Sequence, residues 1–254
     1  MSKRLKNILT SIAVAIFWLL LWQLVAAIIG KPLLLPSPIQ TLQSLFGLIQ
    51  TQRFYLASAL SLVRIMTGYL IGVILGVILG VFAAFSPLVD RLTTPIHRII
   101  KATPISSIII LVLLWLSVGT VPIFTTFLIV MPIIQASVYE GIKSTDPLLI
   151  EMADFFSVSF IARIKKIYVQ TTKTRFISAC IVSMGFAWKA GIAAEVLSHP
   201  KYSIGTSLYN SKIYLETEEM FAYTAVVIIL SMLLEKLMVM LLEKKRKVKI
   251  YDRA

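Results

Sequence analysis

The residues best placed to do chemistry in this sequence are few, and the sharpest are ionisable groups inside apolar runs. Lys189 and Glu195 interrupt the stretch from Phe176 to Leu197, with Trp188 beside the lysine. A charge within a membrane-spanning segment is costly unless it faces water, a partner or the membrane surface. One chemistry is electrostatic: Lys189 lines a polar path and draws an anion along it, with Glu195 and Trp188 as further candidates for lining that path. Another is ion or proton coupling through both groups. The competing structural reading has Glu195 reaching the membrane surface and Lys189 bonding a neighbouring helix. Six residues amount to about 240° of helical rotation, so the two do not pair along one face. Enzymatic sets are missing from the pattern. His97 and His199 have no second ligand at useful spacing, Cys180 stands alone in an apolar run, and no Ser, His and Asp group recurs at helical intervals. The sequence also has no G-x-x-x-x-G-K-[ST] run, so it cannot cradle a nucleotide in the P-loop manner.

The elements that must position these residues are membrane helices. The mean hydropathy of +0.88 and a charged fraction of 15% depart from the roughly 25% charged residues of a soluble domain. The reading is an all-α integral membrane protein, a single domain of about six spans at 8–29, 65–85, 105–117, 121–139, 176–197 and 220–242. The first follows Lys3, Arg4 and Lys6 and is too long for a signal peptide's apolar region, so it is read as an uncleaved span. The third is short for a full crossing, with Pro104 just before it. Between the first two spans, Ser37-Pro38 marks a helix start, and Ile39, Leu42, Leu45, Phe46 and Ile49 form a stripe suited to a membrane surface. Gly68, Gly72, Gly76 and Gly80 recur every fourth residue along one face of the second span, a spacing that predicts close backbone packing against another helix.

One long polar segment, 144–175, breaks the apolar pattern. Asp146-Pro147 is a helix start, with a carboxylate for orphan N–H groups and a ring at the first helical position. Leu148, Met152 and Phe155/Phe156 then recur at helical spacing, with Glu151 and Asp154 on other faces. Phe160, Ile161, Ile164, Ile167 and Tyr168 form a second apolar stripe, away from Arg163, Lys165 and Lys166. Two short amphipathic helices joined by a bend need something to cover them: the protein's own body, lipid or a soluble partner.

The net charge of +13 is explained by topology rather than by nucleic acid. With the N-terminus inside and six crossings, 18 of the 25 Lys and Arg residues fall on the inner side, five fall outside, and Lys189 and Lys236 lie within spans. That bias predicts both termini, and the 144–175 segment, in the cytoplasm. The basic residues line the membrane edges facing anionic lipid instead of gathering in one aromatic-lined patch.

From about Leu35 to Leu242 the chain resembles the membrane (permease) subunit of binding-protein-dependent ABC importers, in the branch handling sulfonates, taurine, nitrate and related solutes. The resemblance rests on Leu35-Pro36-Ser37-Pro38, Ser61-Leu62-Val63-Arg64, Gly68-Tyr69, Pro104, Leu114-Trp115-Leu116, Gly119, Pro132 and Gly141, in that order. Asp146-Pro147 with Glu151-Met152-Ala153 stands where the family carries its Glu-Ala-Ala signature, and Gly185-Phe186-Ala187-Trp188, Ala194-Glu195 and Glu235 continue the match. Three positions depart from it: Ser157 replaces a glycine, and Val169-Gln170 replaces Leu-Pro. The resemblance implies that 144–175 is a cytoplasmic coupling loop, with Asp146, Pro147, Glu151, Met152, Ala153, Phe155, Phe156 and Ser157 at its docking end. It implies a permease homodimer in the cell membrane, two separate ATPase subunits that hold ATP and magnesium, and an extracytoplasmic substrate-binding protein. This chain would bind no cofactor of its own. Glu235 is read as structural, near Lys236 or the basic tail. A secondary transporter coupled through Lys189 and Glu195 is the alternative; it should show paired repeats with broken helices, and no such symmetry is seen.

Overall fold

The computed structural model describes residues 3–251, with side chains described from 9 to 242. The predicted basic flanks at Lys3, Arg4 and Lys6 and at 244–253 lie outside the described side chains. Every element in the described residues is helical. The order is α1 (Lys3–Ile29), α2 (Pro38–Ile49), α3 (Gln52–Phe85), α4 (Pro87–Ala102), α5 (Ile105–Val112), α6 (Val121–Lys143), α7 (Pro147–Phe155), α8 (Phe160–Arg163), a π-helical turn (Ile164–Tyr168), α9 (Val169–Ser198), α10 (Ile204–Ile213) and α11 (Thr217–Tyr251). Among the described residues five helices are long and apolar enough to cross a membrane, and α4 with α5 makes a sixth crossing if the bent pair counts as one.

The core is a three-helix packing of α3, α6 and α9, and the glycine series explains how close two of them come. A Cβ at Gly72 would lie 2.8 Å from that of Val130, one at Gly76 2.8 Å from the Met131 carbonyl, and one at Gly80 2.8 Å from the Gln135 carbonyl. The α3–α6 seam therefore has backbone almost against backbone, which is how helices gain packing energy in lipid. Cys180, Met184 and Ala187 of α9 close the same cluster with Val130, Ile134 and Val138 of α6.

Outside this core the helices are thinly covered. α1 is almost wholly exposed within the protomer. The capping box at Ser37 and Gln40 starts α2 as the sequence predicts. On α2, Ile39, Leu42 and Phe46 stay exposed while Leu45 and Leu48 pack against the cluster around Trp188.

The helix bounds differ from the sequence expectation in three places. The second span begins at Gln52 rather than near 65, because Thr51 caps it and nothing in 52–64 breaks a helix. The predicted second helix of the polar loop is no separate element: Phe160 to Ser198 is one rod interrupted only by the π turn. The third crossing is not a helix at 105–117. Thr103 is extended at ψ 128°, as the residue before Pro104 must avoid the helical region, and α4 and α5 meet there at 104°. α4 starts beside Tyr139, whose hydroxyl donates to Asp90 at 3.2 Å, near the α7 end of α6. α5 finishes among Val121 and Ala194 at the opposite end. The bent pair thus joins the two ends of the bundle, and the stretch expected as a basic connector belongs to it.

Candidate functional site

The loop between α6 and α9 is built to present an apolar surface. The Asp146 carboxylate accepts from the Leu148 amide at 2.9 Å and starts α7, with Pro147 at its first position. At the other end the Val158 amide donates to the Ala153 carbonyl and the Ser157 amide to the Asp154 carbonyl, both at 2.9 Å. Those two bonds around a left-handed residue, Ser157 at φ +52°, form a Schellman stop. Arg163 fixes the exit: it pairs with Asp154, and its Nε donates to the Val158 carbonyl at 2.8 Å.

The protomer buries little of this surface. Ala153 is buried, whereas Leu148, Met152, Phe155, Phe156, Phe160 and Ile161 are all exposed, Phe155 at 84%. Glu151 is exposed as well. The protein's own body therefore leaves the α7 side of the loop bare, while Ile164, Ile167 and Tyr168 of the second stripe are half-buried against it. The loop is nonetheless anchored. Phe85, the last residue of α3, meets Phe160 edge-on at 6.1 Å and Tyr168 at 5.3 Å. At the base, Thr145 and Thr171 hydroxyls lie 3.1 Å apart, and Arg175 pairs with Glu140 at 3.6 Å.

The charged residues of the spans separate into two kinds. Glu195 is fully buried: one carboxylate oxygen accepts from the Ser61 hydroxyl at 2.6 Å and the Gly205 amide at 3.2 Å, and the other from Arg64 at 3.4 Å. Arg64 also donates to the Lys201 and Tyr202 carbonyls, so this cluster ties α3, α9 and the start of α10 together. Trp188 is fully buried too and donates to the Val227 carbonyl at 3.0 Å. The expectation that Glu195 and Trp188 flank a solute path does not fit this enclosure, nor does Glu195 reach a surface as its place near a helix end suggests. The physical reason is charge compensation, since a carboxylate with Arg64 and two further donors is satisfied inside the protomer. Ser61, Arg64 and Gly205 went unseen as its partners because they lie far away in sequence or on another element.

Lys189 is the exception. It is exposed on a face of α9 shared with Val182 and Phe186, and no hydrogen bond or ion pair holds it among the described residues. Glu235 of α11 is exposed as well, but its carboxylate lies over Gly185: a Cβ there would be 2.7 Å from Oε1. Among the described residues its neighbour is therefore α9, and the basic tail lies outside the described side chains.

With this arrangement in view, the comparison with known proteins is direct. Residues 72–247 match the model of the family described as "Binding-protein-dependent transport system inner membrane component". The chain belongs to that family. It is similar to the taurine transport system permease protein of Escherichia coli, 26% identical over 248 residues, covering 92% of this chain and 90% of the relative. It is also similar to a putative aliphatic sulfonates transport permease protein of Bacillus subtilis, 22% identical over 89% of this chain and 82% of that one. A probable ABC transporter permease protein of Haemophilus influenzae is 23% identical over 85% of this chain and 88% of its own length. The chain is thus a multi-pass ABC transporter permease. In this permease, Ser157 does with a strained side chain what glycine would do at the resembling position. The substitution changes the cost of the turn and leaves its form.

Proposed function

We propose that this permease is the pathway-forming subunit of an ATP-driven importer for a small solute of the sulfonate, taurine or nitrate kind. An extracytoplasmic binding protein delivers the solute, and two separate ATPase subunits, holding ATP and magnesium, drive a pair of permease chains. The observation that carries this reading is the bare apolar surface of α7 and α8. Six large apolar side chains, exposed around a capped and braced turn, make a rigid knob whose burial needs a partner. Phe85 supplies the mechanical link, because a push on α8 reaches the end of α3 directly.

The orientation belongs to the proposal: the knob faces the cytoplasm, with both termini on the same side. Even without the three basic residues of α4, fifteen Lys and Arg remain on that side against five on the other. A secondary transporter leaves the knob without a purpose.

The test is co-purification of the permease with its ATPase from membranes, comparing wild type with Phe155→Asp/Phe156→Asp. The pair should lower the recovered ATPase about tenfold or more, as removal of two buried aromatic anchors does at interfaces. Undiminished recovery, or solute uptake that continues without the ATPase, overturns the reading.

A further inference from the structure

Lys189 and Glu235 are charges within the spans that have no ion pair among the described residues, and both lie beside Gly185 of α9. Lys189 lies nine residues before the end of α9, about 14 Å along the helix axis and well inside the span. The Glu235 carboxylate rests on Gly185, which lies one helical turn from Lys189 on the same side of α9. Gly185 is what allows it, since any side chain there would meet Oε1. Lys236 adjoins Glu235 in sequence but points elsewhere on α11, as successive helical residues do. The lysine and the carboxylate do not form an ion pair with each other, and neither has another hydrogen-bonding partner among the described residues.

A cation and an anion without partners inside membrane-spanning helices are costly against hydrocarbon and mark a face that meets water. They call for an aqueous path, and for an occupant with charges of both signs. A simple anion would satisfy Lys189 and be repelled by Glu235; a simple cation would do the reverse. A small zwitterion answers both and adds no net charge to the site.

We infer that Lys189 and Glu235 form a recognition site within the membrane for a small zwitterion, Lys189 holding its acid group and Glu235 its ammonium group. The inference rests on the importer reading for the direction of transport, while the site itself stands on the geometry of α9 and α11.

The test uses the full chain in membrane vesicles, with one reporter cysteine, Val182→Cys, on the exposed face beside Phe186. The native Cys180 is buried and leaves a quiet background. A water-soluble methanethiosulfonate reagent should modify the reporter, and taurine or β-alanine should slow modification far more than ethanesulfonate or ethylamine, which carry one charge each. Lys189→Gln and Glu235→Gln should each weaken that protection about tenfold, the size expected for one charged contact. An unreactive reporter, protection by neither zwitterion, or equal protection by the singly charged analogues overturns the site. So does a Lys189→Gln/Glu235→Gln chain that regains the thermal stability each single change loses, for the two would then be a structural pair only. Protection needs neither ATPase nor binding protein, so it survives if the importer reading fails, and that reading survives if protection is absent.

Discussion

Ser157 shows how one side chain sets the bend of the loop between α6 and α9. It occupies the left-handed region at φ +52° and ends α7, where a Cβ crowds the neighbouring carbonyl. That conformation costs a non-glycine residue about 1 kcal/mol. Ser157→Gly should therefore stabilise the solubilised permease by about that amount, read as a rise in its thermal midpoint, while Ser157→Ala should leave it unchanged. No change with glycine would mean that the serine hydroxyl or the unfolded chain offsets the strain. The turn was legible in the sequence, because Asp146-Pro147 announces the start of α7 and the family resemblance marks the bend. Glu195 was not legible. Its position near a helix end suggests exposure, but burial depends on Arg64 and Ser61 arriving from α3 and Gly205 from α10. Local spacing cannot reveal a partner supplied by a distant helix. Lys189 lies on the other side of the same helix, and the predicted 240° offset between the two is what puts one inside and one outside.

At the level of elements, the glycine spacing is the strongest statement the sequence makes about packing. Four glycines on one face of α3 define a groove, and the structure shows which helix fills it. The seam is so tight that Gly76→Leu has no room: its side chain would begin 2.8 Å from the Met131 carbonyl and the Ile134 Cβ. Backbone cannot yield as a flexible side chain does, so the cost should exceed the roughly 1–3 kcal/mol of ordinary overpacking. Gly76→Leu should abolish the monodisperse peak in detergent chromatography, whereas Gly119→Ala, with nothing within 4 Å of its Cβ, should elute as wild type. Normal elution of the leucine variant would show that α3 and α6 can separate without unfolding. The bent pair α4–α5 was harder to read. Pro104 announces a break, but α4 turns Asp90 and Thr93 inward: Gln135 donates to Thr93 at 3.0 Å and Tyr139 to Asp90. Leu88, Leu92, Ile96 and Ile99 point outward. Arg91, Arg98 and Lys101 are exposed as well, which is why this helix reads in sequence as a basic connector.

Across the whole molecule, the question is whether the bent pair truly crosses, for that decides which elements share a side. The protein's own contacts sort its ends. Thr217 donates to the Leu33 carbonyl at 2.7 Å, and Arg64 reaches Lys201 and Tyr202, so the end of α1, the start of α3, α10 and the start of α11 gather together. Phe85, Asp90 and Tyr139 gather with α7 and α8 at the other end. With six crossings, exposed Leu34 and Tyr214 lie on one side of the membrane and Phe155 on the other. Were α4–α5 to turn back instead, five crossings would place Leu34 with Phe155 and leave Tyr214 opposite. Single cysteines at these positions, over the buried Cys180, can be tested with an impermeant maleimide on intact cells. Leu34→Cys and Tyr214→Cys should label at once, and Phe155→Cys only after the membrane is opened. Early labelling of Phe155→Cys together with Leu34→Cys would put the apolar knob outside, where no ATP-hydrolysing partner could grip it. The excess of basic residues on the knob's side argues against that outcome, since the cytoplasmic leaflet attracts them by about 1 kcal/mol each.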